Sequence, residues 1–194
     1  MENKEIGLIV LFVAVIVGFV AVFQVNDFNI GENNGVSPAN GSSMDNLPGQ
    51  FDSMYLSQTT NLENSELEFK MEIWYRKTDD GIDYKQVQTI GENAQIQIYN
   101  SKKENLYLTK GGQWIYRELP YENFENSIKQ TLGIFDGIAM NQSEGENYPL
   151  QGTTWTIQSL EKNSEIEEGM FMPPENAPVI SFSEFRASQM LQQQ

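Results

Sequence analysis

Residues 67–90 read LEFKMEIWYRKTDDGIDYKQVQTI, and this stretch decides the fold class. Leu67, Phe69, Met71, Ile73 and Tyr75 alternate with Glu68, Lys70, Glu72, Trp74 and Arg76. A period of two sends the two sets to opposite faces of an extended chain, which predicts a strand with one buried face. Thr78-Asp79-Asp80-Gly81 follows, and Asp-Gly readily adopts the positive φ that a tight hairpin requires. A second strand is expected from Ile82 to Ile90.

Working toward the C-terminus, Gly91-Glu92-Asn93 turns the chain again. Ala94–Tyr99 and Asn105–Thr109 form the next pair across Ser101-Lys102-Lys103-Glu104, and Lys110-Gly111-Gly112 leads into Gln113–Leu119. Short strands joined by hairpin turns make an antiparallel meander. Pro120 then suits a first helical position, and Tyr121, Phe124, Ile128, Leu132, Phe135 and Ile138 follow at helical spacing. They form one apolar stripe, with Gly133 and Gly137 weakening its second half. The strand signal returns at Tyr148–Leu150 and Thr153–Leu160. An extended piece through Met170-Phe171-Met172-Pro173-Pro174 cannot be an interior strand, because of its prolines. Ser183–Gln194 suits a short helix ending in frayed glutamines.

Upstream the chemistry changes. Ile6 to Phe23, IGLIVLFVAVIVGFVAVF, has no charged or strongly polar side chain. As a helix it is about 27 Å long, close to the hydrocarbon thickness of a bilayer. A cleaved signal peptide has a shorter apolar region, a more basic start and a small-x-small site. Met-Glu-Asn-Lys-Glu before the run and Gln24-Val25-Asn26-Asp27 after it fit none of these, so a retained signal-anchor is expected. Lys4 and the α-amine precede the helix, and the next basic residue after it is Lys70. The more basic flank stays cytoplasmic, which places the remainder outside. Asn26 to Gln50, rich in Asn, Gly, Ser and Pro, cannot bury enough apolar surface to offset ordering and reads as a stalk.

The expected organisation is therefore a cytoplasmic tail (1–5), a transmembrane anchor (6–23), a flexible stalk (24–50), an extracytoplasmic domain (51–182) and a C-terminal tail (183–194). The fold class is α+β and β-rich: a single N-terminal transmembrane helix, then an antiparallel curled sheet, a half-barrel covered by one amphipathic helix. Pilin-type filament subunits share the apolar helix and β-rich head. Here, however, Glu5 precedes the apolar run, and Lys4-Glu5 is not followed by a small residue.

Composition narrows the chemistry. The 194 residues hold 27 acids and 12 bases, a formal net charge of −15. Such a surface repels phosphate backbones, so nucleic acid is not an expected partner. With neither cysteine nor histidine, disulfides, thiolate metal sites, lipid-modified cysteine and histidine-based triads are excluded. No enzyme, cofactor or metal is expected. Asp79-Asp80-Gly81-Ile82-Asp83 reads as a hairpin turn, since a calcium loop would continue to a glutamate about seven residues on. Asn40-Gly41-Ser42 and Asn141-Gln142-Ser143 are sequons, making Asn40 and Asn141 glycosylation candidates in an exported domain.

The strand order, the hairpin Tyr107-Leu108-Thr109-Lys110-Gly111-Gly112-Gln113-Trp114-Ile115-Tyr116 and the closing stretch from Asn163 to Glu167 and Met170–Pro174 resemble the LolA-type lipoprotein-carrier superfamily. The likeness spans about Leu67 to Val179. It implies a half-barrel with an apolar groove under a movable helix, and hence a lipid- or lipoprotein-binding module of the cell envelope. Family carriers are soluble or carry a lipid on a cysteine, so this chain would be a tethered member. The groove candidates are Phe69, Met71, Ile73, Ile96, Ile98, Leu106, Leu108, Phe124, Ile128 and Phe135; the same residues could instead pack as a dry core. The alternative is a surface structural or interaction subunit with an envelope protein partner, for example an accessory or pilin-like filament component. Trp74, on the polar face of its strand, is the interface candidate for that reading.

Overall fold

The computed structural model describes residues 49–61, 67–150 and 153–192. The expected anchor at 6–23, nearly all of the stalk and Asn40 lie outside the described residues. Within them, no helix is long and apolar enough to cross a membrane.

The described residues form one open, curled nine-stranded sheet and two α-helices. The strands are β1 (Ser53–Asn61), β2 (Glu68–Thr78), β3 (Gly81–Ile90), β4 (Asn93–Asn100), β5 (Asn105–Lys110), β6 (Gln113–Glu118), β7 (Asn147–Leu150), β8 (Thr153–Lys162) and β9 (Val179–Ser181). Helix α1 (Tyr121–Asn141) separates β6 from β7, and α2 (Phe182–Gln192) follows β9. In space the order is β7-β8-β1-β2-β3-β4-β5-β6-β9.

The hairpins from β2 to β6 fall where turn chemistry demands them. Gly111 and Gly112, at φ 59° and 77°, are the two positive-φ residues of the β5–β6 turn. Gly81 has a φ of 131°, and a Cβ there would lie 2.4 Å from the Tyr121 ring. Only glycine lets the start of α1 sit this close to the β2–β3 turn.

Three features depart from the sequence reading. The sequence reading places no strand before Leu67, yet β1 lies at the heart of the sheet between β8 and β2. Its inward positions are Met54, Leu56, Gln58 and Thr60, so the apolar alternation stops halfway along the strand. The sheet is not wholly antiparallel, because β9 runs parallel to β6. The stretch around Met170 is not extended throughout: Glu168–Phe171 forms a 3-10 turn.

Two crossings cover the two faces. From β6 at one side, α1 passes over the concave face to β7 at the opposite edge. The connector 163–178 then returns from β8 to β9 across the convex face. The main core lies under α1, where Phe124, Ile128 and Leu132 are fully buried. Phe124 stacks on Tyr99, with ring centroids 3.7 Å apart and planes within 7°. Such a pair contributes about 0.5–1.5 kcal/mol beyond the area it buries. A second, smaller core lies under the connector, where Phe171 packs with Ile98, Tyr107 and Trp114.

Candidate binding face

Cross-strand register sorts the concave face into rows. The first row is Met54, Tyr75, Tyr84, Tyr99 and Leu106. Helix α1 lies along it: Phe124 meets Tyr84 and Tyr99, and Asp136 meets Tyr75. The second row is Leu56, Ile73, Gln86, Gln97 and Leu108. The third runs Gln58, Met71, Gln88 and Gln95. From the first row to the third, the inward positions of β3 and β4 thus change from tyrosine to glutamine.

Solvent reaches this part of the face. Gln88, Ile90, Gln97 and Leu108 are half-buried, and Gln95 is exposed. Leu108 and Ile90 nevertheless pack against the main core, so the apolar wall continues from under α1 out to the surface. At its edge Lys110 holds its ammonium 5.4 Å from the Phe185 ring of α2.

The amides within the wall are unequally partnered. The Tyr148 hydroxyl donates to Gln58 Oε1, and Tyr84 donates to Gln86 Oε1 at 2.8 Å. Burial raises both phenols well above their ordinary pKa, so they remain donors at any physiological pH. Gln86 is only 2% exposed. Its Nε2, and the Nε2 of Gln97 directly across the strand pair, are buried with no hydrogen-bond partner. An unsatisfied buried donor costs about 1–3 kcal/mol. Two on neighbouring strands mark a place where the wall is not optimised as a dry core.

A second polar group ties the face to the start of the domain. Asp136, buried on α1, accepts from the Tyr75 hydroxyl at 2.7 Å and from the Gln50 backbone N–H at 2.8 Å. Burial raises its carboxyl above the ordinary aspartate value, opposed by those two hydrogen bonds and by Lys77. The segment arriving from the N-terminus is thereby fixed to the helix.

No known protein family, characterised protein or solved structure matches the chain.

Seven of the ten predicted groove residues belong to the main core, namely Phe69, Met71, Ile73, Leu106, Phe124, Ile128 and Phe135, and Leu108 packs against it. Ile96 and Ile98 do not join them. Alternation along β4 turns Gln97 and Tyr99 inward and sends these two isoleucines to the convex face, beside Phe171 and Met170. They are apolar because the connector covers that face as well. Trp74 lies there too, stacked on Tyr55 at 4.9 Å with Lys85 Nζ 5.1 Å from its ring, and is half-buried. Asn141 is exposed at the end of α1, where its side-chain amide donates to the Gly137 carbonyl. Asp83 is engaged by Arg76 and Ser101. Sequence reading missed Gln86, Gln97 and Asp136. The period-two series Gln86, Gln88, Gln95 and Gln97 was the available signal for the first two.

Proposed function

We propose that the chain is a membrane-tethered, extracytoplasmic lipid- or lipoprotein-binding module, a half-barrel whose concave face takes an acyl chain. The observation that carries this reading is that the apolar core beneath α1 reaches the surface at the half-exposed Leu108 and Ile90, which pack against it. An acyl chain needs buried area more than specific contacts, at about 0.8 kcal/mol per buried methylene. Helix α1 is the element that would move to admit it. Gly133 and Gly137 lower its helix propensity, and a Cβ at either would meet nothing within 4 Å. The apolar run at 6–23 and the following stalk would hold the domain near the bilayer that supplies the ligand. The resemblance to LolA-type carriers points the same way.

The full chain, reconstituted in phosphatidylglycerol vesicles containing a lipid with a photoactivatable acyl chain, tests this directly. The expected result is labelling on peptides from β3 to β5 as well as on 6–23. Labelling confined to 6–23 would contradict it.

The second reading, a surface interaction subunit, draws support from Met190 and Leu191, which are 61% and 74% exposed at the end of α2. Two adjacent exposed apolar side chains suit a protein contact. A partner that co-purifies with the chain, and is lost on Met190→Ser with Leu191→Ser, would favour that role.

A further inference from the structure

We infer that Gln86 and Gln97 form the polar recognition point of the concave site, donating hydrogen bonds to the carbonyl oxygen of an acyl group. This rests on the proposed lipid-binding reading and goes beyond it by naming which part of the ligand is recognised.

Three observations converge. The two side chains are direct cross-strand partners on the concave side of β3 and β4. Each has a buried amide nitrogen without a partner, and Gln86 is almost wholly enclosed. Tyr84 occupies Gln86 Oε1, which leaves the amide to act as a donor toward any incoming group.

Position adds the direction of approach. Gln97 is half-buried and pairs with the half-exposed Leu108, so it stands where the wall reaches solvent; Gln86 lies one strand further in. A ligand entering over Leu108 meets the Gln97 amide first. Once α1 shifts, its hydrocarbon would continue along Ile73 and Leu56, which are fully buried in the same row. Neutral donors suit a neutral ester carbonyl, whose oxygen accepts two hydrogen bonds and brings no charge to be desolvated.

The test compares a diacyl phosphatidylglycerol with its dialkyl ether analogue of equal chain length, and includes a free fatty acid. Each competes against photolabelling of the full chain in vesicles. Wild type should prefer the diacyl lipid over the ether by about tenfold, the effect of one well-placed hydrogen bond. Gln86→Leu and Gln97→Leu should each abolish most of that preference while ether binding stays level. Gln97→Met serves as a second variant, and thermal unfolding confirms that each is folded. A fatty acid that competes as the diacyl lipid does would show that the carbonyl oxygen alone is read; one that competes only as the ether does would limit recognition to esters, still in line with the inference. Equal competition by diacyl and ether lipids in wild type, or a preference that survives in the variants, overturns the inference while leaving lipid binding intact. Absence of any label on β3–β5 overturns both.

Discussion

The two crossings of the sheet solve the same topological problem with different chemistry. Helix α1 covers the concave face with a regular apolar stripe and one aromatic stack. The connector 163–178 covers the convex face with almost no regular structure and is held by polar staples. Asn163 N–H donates to the Ser53 carbonyl, Ser53 Oγ to the Ser164 carbonyl at 2.5 Å, and Arg76 Nη1 to the Ile166 carbonyl at 3.2 Å. Arg76 also lies 5.1 Å from the Phe171 ring while pairing with Asp83. A cover held by directed bonds from the sheet stays in register. A cover held mainly by apolar contact can slide, because hydrophobic attraction has no direction. On the proposed reading the cover that shifts is α1, which the sheet also holds through the Tyr75–Asp136 hydrogen bond.

Substitutions separate the two covers. Phe124→Ala should have the largest effect, lowering stability by about 3–5 kcal/mol in urea unfolding, since a fully buried ring is lost. Arg76→Ala should cost about 2–3 kcal/mol, because Asp83, 3% exposed as a side chain, loses its charged partner. Hydrogen exchange in that variant should quicken at 163–171 but not in α1; uniform quickening would deny the staples their local role.

Gly133→Ala and Gly137→Ala should each stabilise by about 0.5–1 kcal/mol, as both sites are helical and open. If α1 must shift, the same variants should slow ligand uptake, and unchanged uptake would separate helix propensity from admission. The smallest effect concerns pH. The raised Asp136 carboxyl binds its proton more tightly in the folded state, so its contribution favours folding as pH falls from the raised value toward the ordinary aspartate range. Above the raised value the buried carboxylate opposes folding. Asp136→Asn should remove that slope, which for one group is at most about 1.4 kcal/mol per pH unit.

The meander and α1 were legible because each has a single dominant period: two in β2, and helical spacing from Tyr121 to Ile138. β1 was not, since Gln58 and Thr60 occupy inward positions. Ile96 and Ile98 read as groove residues because nothing in the sequence of β4 shows that the opposite face is covered as well. Nothing periodic announces the connector; Phe171 and Ile166 are scattered among acids and prolines, and their burial follows from the path between β8 and β9. The orphaned amides were visible as a run of alternating glutamines but carried no sign of burial.

Leu108 and Ile96 lie on adjacent strands and face opposite covers. Because the chain has no cysteine, Leu108→Cys and Ile96→Cys can each carry one environment-sensitive fluorophore. Transfer of the full chain from detergent to diacyl phosphatidylglycerol vesicles should blue-shift the probe at position 108 and shield it from aqueous iodide. The probe at position 96 should not change. A shift at 96 alone, at both positions equally, or at neither would contradict acyl binding on the concave face.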